Sequence, residues 1–334
     1  MLVINNRKIG NNRPVYITAE LSINYNGKLA IALELVEKAA ECGVDVVKLQ
    51  IVYADGSYDK QSPSYDIFRR NELPIEQWGK VCERGSDLGL DLIATFGNHL
   101  DVKHNEELDL SAIKISSSNL TNVMMLASVA ATRKPLVLST GMGYLSEVDE
   151  AVRILEQDGP KSIAVLQCTS IYPTSPKDVN LNVIKTLEQA FPKCTIGFSD
   201  HSMGIACVIA SIACGARVIE KHFTLDRKMN GPDHYFSATP EELKALVDAV
   251  REVELALGSS VKCPTPGERV LRSQVQRTLV SAVEIKKGEK IQADKLTSKR
   301  TQTDGIQPKF LKIICGRVAK RDIRSDTPIS WNDL

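Results

Sequence analysis

The chain has 334 residues, 43% hydrophobic and 25% charged, with a formal net charge of +1, so it can bury a large core and is neither disordered nor collagen-like. No run approaches the roughly 18 apolar residues of a membrane helix, and MLVINNRKIG at the start has no apolar signal-peptide stretch; a cytoplasmic protein is expected. Eight cysteines without a C-x-x-C pair predict reduced thiols, and neither a disulfide framework nor a cysteine-bound zinc.

The first eleven residues read as a short hairpin, with IGNN (9–12) supplying the turn, placed to plug the bottom of a barrel. From residue 14 to about 257, β-prone apolar runs alternate with helix-period stretches. The runs are 14–20, 44–50, 91–95, 111–116, 135–140, 162–168, 195–199 and 217–222. Eight strands, each followed by a helical segment such as LAIALELVEKAAECG, predict an α/β fold of the (β/α)8 TIM-barrel type. A doubly wound open sheet would carry G-x-G-x-x-G after its first strand, where this chain reads LSINYNG. The connection 51–73, with Tyr53, Tyr58, Tyr65 and Phe68, is too long for a plain barrel loop and is either a lid or an excursion over the mouth.

Beyond Gly258 a Pro/Gly/Ser-rich connector (259–274) leads to short β-prone runs with turns at KKGE and SDTP. The division is therefore a barrel domain at 1–258, a linker at 259–274 and a small β-rich domain at 275–334. That last segment has thirteen Lys/Arg against seven Asp/Glu, +6, while the rest has 29 against 34, −5. The basic residues are not interleaved with aromatics in any nucleic-acid-binding motif, so neither nucleic acid nor membrane is expected as a partner.

In a barrel the chemistry sits at the C-terminal strand ends. Those ends are polar on every strand: Glu20; Lys48 and Gln50; Thr95; Lys114, Ser116 and Ser117; Ser139 and Thr140; Gln167, Thr169 and Ser170; Ser199 and His201; Lys221 and His222. One such residue is ordinarily a satisfied polar terminus, but a whole ring is costly to bury unless its members answer one another or a ligand. Two lysines among small hydroxyls form a receptor for phosphate or carboxylate. His201 and His222, from adjacent strands, can share a divalent metal, Mn²⁺ first and Mg²⁺ or Co²⁺ as alternatives; the bland reading makes Ser-Asp-His (199–201) a turn in which Asp200 only holds His201. Glu20 is placed to act as an acid/base group, or else to pair with Lys48 or Lys114. Lys48 or Lys114 as a Schiff-base nucleophile of a pyruvate aldolase is the rival chemistry.

The strand-end residues resemble those of the N-acetylneuraminate (sialic acid) synthase family, which condenses phosphoenolpyruvate with an amino-sugar aldehyde. The likeness runs nearly end to end through ITAELSINYNG, VDVVKLQ, AIKISSSNLTN, KPLVLSTGM, QCTSIYPT, IGFSDHS, GARVIEKHFTLDR with NGPDH, and EIKKGEKI with KR at 299–300. It implies a TIM barrel followed by an antifreeze-like (SAF) domain, and a cytoplasmic, domain-swapped homodimer serving polysaccharide biosynthesis. By the resemblance Lys48, Lys114, Ser117, Ser139, Ser170 and Ser199 hold phosphoenolpyruvate, with Thr95 beside them. His201 and His222 bind the metal and Glu20 is the acid/base group. Tyr172 and Asp233 lie on the sugar side, and Arg300 reaches the sugar's acyl-amino group from the neighbouring subunit. Three departures fall on the sugar side: Tyr25 where relatives often have histidine, Asn119 where glutamate is common, and Thr301-Gln302 in place of Pro-Gly. The acceptor is thus left open between N-acetylmannosamine, a 2,4-diacetamido-trideoxyhexose and a spore-coat-type precursor. A carbohydrate-binding protein on a degenerate barrel is the non-enzyme alternative; it would lack the strand-end charges.

Overall fold

A computed structural model describes residues 1–158 and 162–334, in two compact units, Met1–Gly258 and Ser259–Leu334. The first begins with the hairpin β1 (Leu2–Ile4) and β2 (Arg7–Ile9), paired antiparallel. Its turn is Asn5-Asn6, both at positive φ (45° and 64°), the backbone a two-residue hairpin loop requires. The turn expected at IGNN is therefore corrected: asparagine tolerates the left-handed region well enough to turn the chain five residues earlier. Leu2, Ile4 and Ile9 are fully buried against Tyr16, Val46, Ile93, Val137 and Val218, which closes the bottom of the barrel. Leu2 N–H donates to Thr195 Oγ1 at 2.7 Å and Val3 N–H to Ser162 Oγ at 2.7 Å, fixing the hairpin to the strand starts.

Eight parallel strands close the barrel: β3 (Tyr16–Glu20), β4 (Val46–Ile51), β5 (Asp91–Phe96), β6 (Ala112–Ile115), β7 (Leu136–Ser139), β8 (Ile163–Cys168), β9 (Thr195–Asp200) and β10 (Val218–His222), with β10 returning to β3. All eight strands fall on the runs read from the sequence. Strand side chains alternate, so Ile17, Val47, Leu49, Ile113, Leu138, Ile196 and Ile219 join the core between strands and helices. The alternate set points inward, apolar at the bottom and polar at the top. Gly197 must be glycine, because a Cβ there would lie 2.3 Å from Val218 O and 2.4 Å from Leu166 Cδ2.

The outer layer is helical, with Leu29–Cys42, Ile75–Asp87, Val123–Ala131, Leu145–Asp158, Val183–Ala190, Ala206–Ala213 and Pro240–Leu257 as its longer members. The last starts at a capping box, Thr239 with Glu242, and has Pro in its first turn. The long connection after β4 folds into helices Ala54–Ser57 and Pro63–Asn71, tied at its neck by Ala54 N–H to Glu72 Oε1 at 2.7 Å.

The second unit opens with a helix, Pro266–Val275, capped by Thr265 and Glu268. The expected linker is thus largely structured, since T-P-G-E supplies a capping box with Pro at the first helical position. β11 (Arg277–Ser281) pairs antiparallel with β12 (Leu296–Arg300). The unit has its own core of Leu279, Ile285, Ile291, Ile306, Ile323 and Ile329 with their neighbours. Among the described residues no helix is long and apolar enough to cross a membrane.

Candidate active site

The strand register assembles the inward tops into a ring. Glu20 lies opposite both His222 and Lys48, Gln50 opposite Thr95, Thr95 opposite Lys114, Cys168 opposite Ser199, and Ser199 opposite Glu220. They line a small pocket of about 160 Å³ together with Ser117, Ser139, Tyr172, His201 and Asp233. A larger cavity of about 770 Å³ adjoins it, shares Gln50, Thr95, Ser117 and Tyr172, and adds Ser170 and Asn119. Of the candidate site residues, Arg300 lies in the second unit, exposed at the end of β12.

The floor of the small pocket is a buried charge cluster. Lys48 Nζ pairs with Glu20 Oε2 and, at 3.3 Å, with Glu220 Oε1; Lys114 Nζ is 3.5 Å from the same oxygen, to which Ser199 Oγ donates at 3.0 Å. Two buried ammonium groups meet two buried carboxylates, which is tolerable only because they answer each other. Burial alone would raise the Glu220 carboxyl, but Lys114 and Lys48 hold it well below the usual carboxylate range. Burial lowers Lys48 to about 8, against the pull of Glu220 and helped by Lys114. Glu20 is held on its other oxygen by Ser22 N–H at 2.5 Å.

Around this floor stand hydroxyls. Ser139 Oγ and Ser170 Oγ are buried with no partner among the described residues, an arrangement that anticipates a ligand. Ser117 Oγ accepts from Gly141 N–H at 3.0 Å. Gly141 permits this approach, since a Cβ would lie 2.2 Å from Ser170 Oγ and 2.8 Å from Ser117 Oγ. Thr95 donates to Lys114 O at 2.9 Å and so braces β6.

The imidazoles of His201 and His222 stand with ring centroids 5.2 Å apart. His201 Nδ1 lies 2.8 Å from Thr169 O, which fixes the proton there and leaves Nε2 as the free nitrogen. His222 is buried with Nδ1 unpartnered among the described residues. Burial, then His201 and Lys48, push its pKa well below the ordinary value, so the ring is neutral. Tyr172 lies over His201 at 4.1 Å between centroids and Phe236 flanks His222 at 5.0 Å. Asp233 accepts from Ser22 Oγ, and burial raises its carboxyl despite that bond.

Several strand-end residues face the other way. Asp200 turns outward to Lys221 at 2.7 Å and caps Ser202 N–H at 2.9 Å, so it does not hold His201. Gln167 donates to Val179 O at 3.1 Å and Thr140 to Leu166 O at 2.9 Å. Their odd position relative to the inward set sends them behind the barrel wall. The same parity exposes what the sequence reading missed: Glu220, two residues before His222, and Cys168, between Ser117 Oγ at 3.6 Å and His201 Nδ1 at 3.9 Å. Burial opposes ionisation of Cys168, but His201, then Ser117 and Lys114, bring its thiol down to about 7.

Fold and site together define a (β/α)8 barrel with a charged pocket at its C-terminal mouth, followed by a small β module. The sequence profile of the NeuB family matches residues 35–262 and that of the SAF domain matches 276–334. The chain belongs to the NeuB family. It is 42% identical to an uncharacterised protein of Methanocaldococcus jannaschii, over 99% of this chain and 98% of that one. To the N,N'-diacetyllegionaminic acid synthase of Legionella pneumophila it is 34% identical, over 98% and 99%. The crystal structure of the spore coat polysaccharide biosynthesis protein SpsE of Bacillus subtilis superposes with a TM-score of 0.70 at 34% identity, covering 99% of this chain and 98% of that one.

Proposed function

We propose that the protein condenses phosphoenolpyruvate with the open-chain aldehyde of an N-acylated amino sugar, giving a sialic-acid-type nonulosonic acid and phosphate. The observation that carries this reading is the buried pocket in which Lys48 and Lys114 stand beside the Ser139 hydroxyl, unpartnered among the described residues, and two imidazoles, of which His222 is neutral. The ammonium groups answer the charges of phosphate and carboxylate, the Ser139 and Ser170 hydroxyls donate to their oxygens, and Ser117 and Ser199 would turn from Cys168 and Glu220 to do the same. As the anion takes up Lys48, Glu20 loses its counter-charge and becomes the base at the floor.

Carbon–carbon bond formation joins C3 of phosphoenolpyruvate to C1 of the aldehyde, whose oxygen is protonated, and leaves positive charge at C2. Water adds at C2 and gives its proton to Glu20. The tetrahedral centre then collapses to the C2 ketone, its hydroxyl proton passing to the departing phosphate as the C–O bond breaks, with Lys48 and Lys114 stabilising the leaving group. Tyr172, which lines both cavities, and Asp233, on the wall of the smaller one, orient the sugar.

The histidine pair fits a divalent ion, Mn²⁺ first: His222 is neutral with a nitrogen unpartnered, and His201 has one nitrogen fixed and the other free. Among the described residues no group of three or more His, Cys, Asp or Glu is arranged to hold a metal, so His201 and His222 are the protein's ligands and the rest of the shell falls to water and substrate. When bound, the ion serves as a Lewis acid toward the sugar carbonyl.

A homodimer fits the barrel's C-terminal rim, where Met142, Tyr144, Met203 and Tyr235 are exposed on three loops; a second copy would cover such a collar and bring its Arg300 to the acyl-amino group.

The test is phosphate release from phosphoenolpyruvate. It should require a hexosamine acceptor and should stop with EDTA. Inactivation by borohydride with pyruvate would instead establish a lysine adduct.

A further inference from the structure

At the opposite end of the barrel lies another cavity, of about 680 Å³, a size at which proteins hold small ligands. It opens where β3 and β10 begin: Val15 and Arg217, the residues before those strands, both line it, and Tyr16 N–H donates to Arg217 O at 2.9 Å. The same two strands carry Glu20 and His222 at their far ends, about 15 Å away by strand rise. The cavity is therefore separate from the pocket at the mouth, and none of its residues takes part in the proposed condensation.

Its wall carries four guanidinium groups, from Arg7, Arg13, Arg217 and Arg251, and among the described residues one carboxylate, Glu254. Asp45 pairs with two of them, Arg7 Nη2 at 2.6 Å and Arg251 Nη2 at 2.9 Å. Both carboxylates are spent inside the protein. Asp45 Oδ2 also accepts from Ile17 N–H at 2.8 Å, while Glu254 accepts from Val15 N–H on one oxygen and from Arg251 at 3.1 Å on the other. Arg251 Nη1 completes the clasp by donating to Val15 O at 2.8 Å, so this arginine fixes the start of β3. The others keep donors in hand. Arg217 gives only Nη1, to Ala216 O at 2.8 Å and Ile212 O at 3.3 Å, and the exposed Arg13 side chain has no partner among the described residues.

Four cations against two carboxylates leave an excess of two positive charges in one concavity, and an anion joining them relieves their mutual repulsion. Guanidinium forks take phosphate oxygens two at a time. The facing wall is largely apolar, with Pro14 and, at the end of the helix Pro240–Leu257, the exposed Leu255 and Leu257. A free phosphate would leave those faces and most of the space untouched. An organic phosphate with a planar, partly apolar body fills both halves.

We propose that this arginine-lined cavity at the bottom of the barrel is a nucleotide site, with the phosphate on Arg7, Arg13 and Arg217 and the base on Pro14 and the two leucines.

The experiment is calorimetric titration of the full chain with AMP, CMP, GMP and UMP, with phosphoenolpyruvate in excess to fill the barrel mouth. At least one nucleotide should bind once per chain with a Kd below about 1 mM, and inorganic phosphate at least about tenfold more weakly. Arg13→Glu should weaken that nucleotide about tenfold or more and leave turnover at the wild-type rate, because the Arg13 side chain holds nothing else in the protein. Absence of binding by all four up to about 10 mM overturns the proposal. So does a nucleotide affinity unchanged in Arg13→Glu, which would place the ligand elsewhere. Inorganic phosphate bound as tightly as the nucleotides overturns it too, by reducing the cavity to a patch of positive charge.

Discussion

Lys48 and Glu220 meet inside the barrel mouth, Nζ to Oε1 at 3.3 Å, and the same carboxylate oxygen lies 3.5 Å from Lys114 Nζ and accepts from Ser199 Oγ. Glu220 is therefore the hub on which both lysines proposed to bind the substrate anion are positioned. Glu220→Gln leaves Lys114 buried without its counter-charge, a change that costs about 3 kcal/mol or more when a buried pair is broken. Urea unfolding should show that loss. Added inorganic phosphate should restore part of it, and should stabilise the variant more than the wild type because the anion replaces the missing charge. Equal stabilisation of both would separate Glu220 from the anion site.

The pH dependence follows from Lys48. Burial sets its pKa at about 8, so in the free protein the ammonium is present below that pH and lost above it. kcat/KM for phosphoenolpyruvate should fall as pH rises through about 8, since this parameter reports free-enzyme groups. Lys48→Arg keeps its charge at all these pH values and should lose the alkaline limb, at reduced activity because the guanidinium does not reproduce the compact ammonium between Glu20 and Glu220. A limb that persists unchanged in this variant would assign it elsewhere.

For the imidazole pair, His222→Ala should lower turnover more than about a thousandfold, while phosphoenolpyruvate still protects the protein against thermal unfolding. Wild-type protein dialysed against Mn²⁺ should retain about one equivalent per chain and the variant almost none. Undiminished metal content in His222→Ala would place the ion at other residues.

Much of this site is legible in the sequence because barrel geometry ties function to strand ends. Lys48, Lys114, Ser139, Ser199 and His222 stand out as polar residues closing apolar runs, and register does the rest. Glu220 escapes for a definable reason. With a strand end taken as its last one or two residues, EKH offers Lys221 and His222, although alternation sends Lys221 outward to Asp200 and brings Glu220 in. Counting back by two from His222 finds it. The hairpin turn is misplaced by the same kind of shortcut, glycine being preferred where Asn5 and Asn6 take the positive φ. The walls of the larger cavity are harder, because Tyr58, His99 and Asn122 come from loops whose course no periodicity encodes.

A homodimer in which Arg300 crosses between copies can be distinguished from one in which each chain completes its own site. His222→Ala removes a barrel site, while Arg300→Ala, on the exposed end of β12, removes only the contact proposed to the acyl-amino group and should show itself at low acceptor concentration as a raised KM. If Arg300 serves the barrel of a second copy, a heterodimer of the two variants holds one intact site: the barrel of the Arg300→Ala chain, served by the arginine of the His222→Ala chain. Co-expression of the variants under two tags should then recover about a quarter of wild-type activity from a statistical mixture, and about half from the doubly purified heterodimer. If Arg300 serves its own barrel, neither preparation has an intact site, and activity at low acceptor stays at the level of the Arg300→Ala protein diluted by its inactive partner.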